Sequence, residues 1–220
     1  MRRFGLISGL IFKPKQIIMN KYITELIGTL FLVMGAALGG AIGASLALMV
    51  MIYAGGHISG AHYNPAVTLA VWMRGRIEMK DAVMYWIFQI VGAVIAAVIV
   101  AYVFDQEGSG NCMISEDASM KGILAELLGT FALAYVVLNV ATAKGTSGNS
   151  FYGIAIAGTV LAMATAVGTF SGGAFNPAVA VGLSIQKSLC WAQIWMYLVG
   201  AFGGGALAAI IFSFNNPDDK

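Results

Sequence analysis

The sequence is poor in charged residues and in the residue types that build most catalytic and metal sites. Only 10% of its 220 residues are charged, well below the roughly 25% of soluble domains. The two histidines and two cysteines show no metal or redox spacing, and we expect Cys112 and Cys190 to be free thiols. No phosphate-binding Gly-rich Lys loop and no nucleophile elbow occurs. These absences argue against a soluble domain, an enzyme, and a metal or other cofactor, and the net charge of +2 gives no sign of a nucleic-acid partner.

Apolar residues dominate instead, at 59% of the chain. Several apolar runs approach or exceed the roughly 20 residues that cross a bilayer as a helix. The sequence therefore predicts an all-α integral membrane protein with six spans and two half-length helices. The predicted spans are about 20–38, 40–56, 81–104, 121–142, 151–169 and 189–213, with half-helices at about 64–73 and 176–186 and a Gly-rich turn at 35–43 between the first two spans.

Basic residues predict the orientation, because cytoplasmic loops of membrane proteins are enriched in Lys and Arg. The loop 105–119 has no Lys or Arg and is expected outside. We expect residues 1–19 to be a basic cytoplasmic tail, 20–214 one membrane domain, and 215–220 a polar cytoplasmic tail. Both termini would then face the cytoplasm of a cell (plasma) membrane protein. The basic residues assigned to the cytoplasmic side are Arg2, Arg3, Lys13, Lys15, Arg74, Arg76, Lys80, Lys144 and Lys220.

The chain also contains an internal repeat, over about 20–104 and 121–214. Thr-Glu-Leu-Ile-Gly-Thr at 24–29 is echoed by Ala-Glu-Leu-Leu-Gly-Thr at 125–130. Each half reads as two spans, a half-helix and a third span. Because three spans is an odd number, the halves must lie inverted in the membrane. Inverted repeats place their broken helices at the midplane, where a solute site can form.

Each half-helix is preceded by a Gly/Ser-rich approach and starts with the tripeptide Asn-Pro-Ala. Asn is a preferred N-cap and Pro fits the first helical turn. Two such helices entering from opposite faces would meet tip to tip and present positive dipole ends. The Asn amides could then donate to a water or hydroxyl oxygen while protons and cations are repelled. The residues assigned to this pore site are Asn64, Pro65, Ala66, Asn176, Pro177 and Ala178.

Glu25 and Glu126 are carboxylates inside predicted spans, where they are costly and therefore functional by default. We favour a structural role in which each accepts hydrogen bonds from the amides of the adjacent re-entrant loop, with a proton relay as the alternative. His62, two residues before Asn64, is a candidate to line the cytoplasmic half of the cavity. His57 is expected to pack or to satisfy the loop.

The segments Gly-His-Ile-Ser-Gly-Ala-His-Tyr-Asn-Pro-Ala-Val-Thr at 56–68 and Phe-Ser-Gly-Gly-Ala-Phe-Asn-Pro-Ala at 170–178 closely resemble the two signatures of the aquaporins, the major intrinsic proteins. The resemblance covers about residues 20–214. It implies an aquaporin-like right-handed six-helix bundle with two re-entrant half-helices and one pore per subunit of a homotetramer. It also implies passive conduction of water and small neutral solutes across the bilayer.

The resemblance further implies an outer selectivity filter at Ala44, Ala164, Gly173 and Val179. Most members of the family have Arg where this chain has Val179. The family associates such filters with glycerol, urea, ammonia or peroxide as well as water. Bulky neighbours, Phe170 or Met163, are an alternative filling for the filter.

Two other functions remain open from the sequence. Inverted repeats and broken helices also build secondary transporters, which would show saturation and ion dependence. Some members of the family form membrane junctions, so a structural role is the third possibility.

Overall fold

The computed structural model describes residues 14–110 and 119–219, with side chains from residue 19 onward. The predicted features at residues 1–13, at 111–118 and at Lys220 lie outside these ranges. The structure has seven α-helices in the described part of the chain, and π-helical turns extend two of them. The elements are α1 (Pro14–Ser59), α2 (Pro65–Met73), α3 (Met79–Val98) with a π turn at Ile99–Val103, α4 (Ser119–Val137) with a π turn at Leu138–Thr142, α5 (Tyr152–Ser171), α6 (Pro177–Ile185) and α7 (Ile194–Asn215).

Five described helices are long and apolar enough to cross a membrane, and the first of them, Met19–Ser59, has the length of two crossings. α1 is broken at Gly40, whose φ of 55° and ψ of −144° lie outside the helical region. The first two predicted spans are therefore joined by a single non-helical residue rather than by a turn over 35–43. Glycine is required there because other residues rarely adopt a positive φ. α1 also begins at Pro14, inside the predicted tail.

Small residues let the two arms of α1 approach at van der Waals distance. A Cβ added to Gly43 would lie 2.3 Å from the carbonyl oxygen of Gly35. The other crossings follow the same rule, since a Cβ at Gly92 would lie 2.4 Å from the Leu26 carbonyl oxygen and one at Gly204 equally close to that of Leu127. Helices in lipid associate through such close packing.

The two halves pack in the same way. α1 packs most extensively on α3, and α4 packs most extensively on α7, so the first and third spans of each half are neighbours. The half-helices α2 and α6 are buried between them. The interior is apolar and includes Val33, Leu138 and Phe212, whereas large apolar side chains such as Ile27 and Phe31 are exposed on the outside. An outer surface of this kind is suited to lipid.

The expectation of free thiols is wrong for Cys190, which is disulfide-bonded. Cys112 lies outside the described residues. The segment around Cys190 is also held by hydrogen bonds, since the amides of Gly108 and Gly110 donate to the carbonyl oxygens of Gln186 and Lys187. An ion pair between Lys187 and Glu107 at 2.7 Å adds to these contacts, and it raises the pKa of Lys187 through the hydrogen bond and the charge of Glu107. The spacing of the two cysteines does not indicate this cross-link.

Candidate pore and selectivity site

The half-helices α2 and α6 start in the same way. Asn64 is the N-cap of α2, and its Oδ1 accepts hydrogen bonds from the amides of Ala66 at 2.9 Å and Val67 at 3.4 Å. Asn176 caps α6 with the same two distances to Ala178 and Val179. A proline follows each cap in the first turn, where its missing N–H costs no hydrogen bond.

The other end of each Asn amide joins the two halves of the chain. Nδ2 of Asn64 donates to the carbonyl oxygen of Phe175 at 2.9 Å, and Nδ2 of Asn176 donates to that of Tyr63 at 2.8 Å. Each NH2 group has two hydrogens, so one remains after this bond is made. Both asparagines border the same cavity, so the remaining hydrogen of each is available to a solute in it.

The approach loops have an unusual backbone. Tyr63 and Phe175, directly before the two caps, have φ values of 49° and 46°, a conformation that bulky residues rarely adopt. Their rings occupy the space beside two helix glycines. A Cβ at Gly28 would lie 2.1 Å from the Tyr63 ring, and one at Gly129 would lie 2.2 Å from the Phe175 ring. Positive φ recurs at matching loop positions in both halves, at Gly60 and Ala61 and at Gly172 and Gly173.

The two intramembrane carboxylates hold these loops. Glu25 is fully buried and accepts from the amides of His62 at 3.0 Å and Tyr63 at 2.7 Å. Ser59 Oγ and Gln89 Nε2 donate to the same carboxylate at 2.6 and 2.8 Å. Glu25 lines neither of the two cavities described below, and its four hydrogen bonds are those expected of a loop support.

Glu126 repeats this arrangement in the second half. It is fully buried and accepts from the amides of Ala174 at 3.0 Å and Phe175 at 2.7 Å, and from Ser171 Oγ at 2.7 Å. Ser59 and Ser171 were not singled out from the sequence. The sequence signal for them is that each directly precedes a glycine at the matching position of its loop. In the structure both glycines have a positive φ.

The cavity bordered by Asn64 and Asn176 has a volume of about 300 Å³. The four residues assigned to the filter all line it, and its remaining walls are largely aliphatic, with no charged side chain among the lining residues. Phe170 and Met163 do not line it, and Phe170 is half exposed, so the alternative filling of the filter is not supported. The residues assigned to the filter from the sequence are Ala44, Ala164, Gly173 and Val179.

A second cavity, of about 410 Å³, differs in having charged side chains in its lining. His62 and Val137 border both cavities, and His62 lies two residues before Asn64. His57 is exposed at the end of α1 and borders neither cavity, so the expectation that it packs is wrong, and no hydrogen bond to the described residues supports the alternative that it satisfies the loop. The charged residues that line the second cavity are Lys21, Arg76, Glu78 and Asp81.

Ion pairs fix the polar end of the molecule. Lys21 Nζ lies 2.5 Å from Asp81 Oδ2. The Arg74 guanidinium stacks on the Phe212 ring at 4.7 Å and pairs with Asp219 at 2.7 Å. A hydrogen bond from the Lys144 backbone amide, together with the Arg74 and Lys144 charges, lowers the pKa of the Asp219 carboxyl.

Comparison with known proteins gives the class to which this fold and site belong. The family model described as "Major intrinsic protein" matches residues 12–212. The chain therefore belongs to the major intrinsic protein family, and the resemblance seen in the two signatures is confirmed.

Some relatives within the family are named aquaporins, and another is named as a glycerol uptake facilitator-like protein. The chain is 36% identical over 172 residues to "Probable aquaporin TIP3-2" of Arabidopsis thaliana, covering 77% of this chain and 64% of that protein. It is 32% identical over 217 residues to "Glycerol uptake facilitator protein-like 6" of Lactiplantibacillus plantarum, covering 91% of this chain and 100% of that protein.

The aquaglyceroporin from Plasmodium falciparum is similar in structure, with a TM-score of 0.69 at 17% identity over 91% of this chain and 98% of that one. This likeness confirms the predicted all-α, aquaporin-like fold.

Proposed function

We propose that this protein is a passive transmembrane channel for water and small neutral solutes. The observation that carries the proposal is the meeting of two half-helix tips at one cavity. Asn64 and Asn176 belong to opposite halves of the chain, yet they border the same space and bond to each other's loops. The paired Asn-Pro-Ala tripeptides are the site that a permeating molecule would meet at the midplane.

The electrostatics of this cavity favour neutral solutes. Each half-helix directs its N-terminal, positive dipole end toward the tips, and the asparagine NH2 groups add donors there. A water or hydroxyl oxygen can accept from these donors. A cation or hydronium ion would meet the same positive ends while losing its hydration among aliphatic walls, which offer no compensation.

The residues assigned to the outer filter support a solute range wider than water. Ala44, Ala164 and Gly173 are small, and Val179 adds neither charge nor a hydrogen-bond donor. Removing a guanidinium from such a position removes a donor array and a fixed charge. We therefore propose that glycerol, urea, ammonia or peroxide passes in addition to water. Relatives named as aquaporins and as a glycerol uptake facilitator are consistent with both solute classes.

The protein crosses the membrane several times, and the finer points of its setting are part of the proposal. We place it in the cell membrane with both termini in the cytoplasm, and we expect a homotetramer with one pore per subunit. The segregation of basic residues supports the orientation. The polar cavity with Lys21 and Arg76 would then be the cytoplasmic vestibule.

The test is stopped-flow light scattering on proteoliposomes that contain the purified protein. Water, glycerol, urea, ammonia and peroxide are compared with empty liposomes of the same size. We expect fast water flux and at least one larger solute above background, with rates linear in the gradient and independent of Na⁺ or a proton gradient. Saturation with ion dependence would indicate a secondary transporter instead. Membranes that stack without solute flux would indicate a structural role.

A further inference from the structure

His62 borders both cavities. The contacts of its ring determine which of the two nitrogens carries the proton. Nδ1 lies 3.1 Å from Thr68 Oγ1. Nε2 has no protein partner among the described residues and is not one of their buried unpaired atoms. Nε2 is therefore the ring atom that faces the accessible space. A neutral imidazole donates from one nitrogen and accepts at the other, so the bond at Nδ1 determines the chemistry at Nε2.

The partners of Thr68 determine the direction of that bond. A threonine hydroxyl has one hydrogen and two acceptor lone pairs. Thr68 Oγ1 lies 3.0 Å from the carbonyl oxygen of Asn64, which can only accept, so the hydroxyl hydrogen is used there. It also lies 3.0 Å from Gln89 Nε2, which can only donate. The lone pair that remains can only accept, so the hydrogen in the third contact belongs to His62 Nδ1.

Gln89 is itself oriented by Glu25. The Glu25 carboxylate receives two backbone amides, one hydroxyl and Gln89 Nε2, which uses all four of its acceptor positions. Gln89 must therefore present its NH2 group, whose two hydrogens go to Glu25 and Thr68. Oε1 of Gln89 has no hydrogen-bond partner, so the two bonds of the NH2 group alone determine how the side-chain amide is oriented.

From this chain of donors and acceptors, we infer that Glu25, Gln89 and Thr68 fix His62 as the Nδ1–H tautomer and so place a bare Nε2 acceptor at the inner end of the pore. The second half has no equivalent, because Ala174 and Ala180 occupy the positions that correspond to His62 and Thr68. The path therefore has donors at the two asparagines and one side-chain acceptor on one side of them.

The inference deepens the proposed function and rests on it for its consequence. A solute leaving the asparagine donors meets an acceptor next. Molecules with both acceptor and N–H or O–H groups, such as water, urea and polyols, can bond to each in turn. Thr68, Gln89 and Glu25 act here as positioning residues, because they orient the imidazole without facing the cavity themselves.

The tautomer can be measured directly because the chain has only two histidines. Replacing the exposed His57 by Gln leaves His62 as the single histidine. In ¹³C,¹⁵N-histidine-labelled His57→Gln protein in liposomes, solid-state NMR correlates each ring nitrogen with its own carbons and shows which one is protonated. We expect a neutral ring protonated at Nδ1 only. A ring protonated at Nε2 only, or a mixture of both neutral forms, would overturn the inference.

A matched pair of variants tests whether Thr68 fixes the tautomer of His62. Thr68→Ser keeps the hydroxyl and should keep the Nδ1–H form, whereas Thr68→Val removes the acceptor and should lose it. If Thr68→Val fails to fold, the spectrum of the His57→Gln protein still decides the tautomer. Water flux is measured on the same samples, and we expect about a fivefold loss for Thr68→Val relative to Thr68→Ser, as for one hydrogen bond lost from the path.

The tautomer assignment and the proposed channel function can be refuted separately. Equal water flux in both variants would show that the acceptor has no part in conduction. An Nδ1–H ring in a protein that conducts no solute would refute the proposed channel and leave the tautomer assignment intact.

Discussion

The side-chain amide of Asn64 donates to the carbonyl oxygen of Phe175 at 2.9 Å, although the two residues are 111 positions apart. Asn176 makes the equivalent bond to Tyr63. Each asparagine thus has two separate tasks. Its Oδ1 caps its own half-helix, and its Nδ2 holds the loop of the other half. The cap and the bridge are on different atoms, so substitution can separate them.

Replacing Asn176 by Asp tests this separation. A carboxylate still accepts from the amides of Ala178 and Val179, so the cap is retained. It loses the donor to Tyr63 and adds a negative charge at the midplane. We expect proton and cation leakage to rise while water still passes, with a stability loss of about 1–3 kcal/mol from the unpaired carbonyl. A pH-sensitive dye inside proteoliposomes, read under an imposed K⁺ gradient, measures the leakage.

The control for that variant is Asn215→Asp, which makes the same chemical change at the exposed end of α7. It should leave leakage at the wild-type level. An Asn176→Asp protein that conducts water and remains as tight to protons as the wild type would contradict the assigned role of the Nδ2 donor.

Introducing Arg at Val179 tests the outer filter. Val179 is buried and lines the cavity together with three small residues, so a guanidinium there would add bulk, charge and hydrogen-bond donors in a single substitution. We expect glycerol and urea flux to fall more than water flux. Val179→Leu adds bulk without charge and should have a smaller effect. If solute rates in Val179→Arg equal those of the wild type, Val179 is not at the constriction.

The parts of this site that side-chain identity specifies were predictable from the sequence. Asn before Pro indicates a capped helix start, and a carboxylate in an apolar span needs donors nearby. The capping distances at Asn64 and the four donors at Glu25 follow those rules. The spans were also predictable, since apolar length decides them.

The remaining features depend on tertiary contacts that residue identity does not predict. The acceptors for the two asparagine bridges are backbone carbonyls, which every residue has. Gln89 is a polar residue in an apolar span, but its two hydrogen bonds, to Glu25 and Thr68, form only when α3 packs on α1 and α2. The position of the single-residue break at Gly40 was not predictable, because the segment 35–43 contains several glycines and each of them can adopt a positive φ. Cys190 needed a partner in space rather than in sequence.

Gly129→Ala tests the packing behind the second loop. The added methyl would lie 2.2 Å from the buried Phe175 ring, whose backbone is already held at a positive φ. The ring has to move, and overpacking of this kind costs about 1–3 kcal/mol. We expect a lower temperature for loss of monodispersity in detergent, together with reduced water flux. Gly158→Ala is the matched control, because nothing lies within 4 Å of its added Cβ. Equal stability of the two variants would contradict this packing argument.

Asp219→Asn tests the ion pair with Arg74, which links the segment after α7 to the end of α2. Because the pKa of Asp219 is lowered from its ordinary 3.8, folding favours the ionised carboxyl. Its contribution is therefore present above the ordinary pKa and is lost as the pH falls through the lowered value. We expect the variant to be less stable in detergent at pH 7 and the difference to shrink below about pH 4. Asp218→Asn is the control, since only the backbone carbonyl of that residue accepts from Lys144. A stability difference for Asp219→Asn that is absent at pH 7, or that persists unchanged at pH 3, would rule out this contribution.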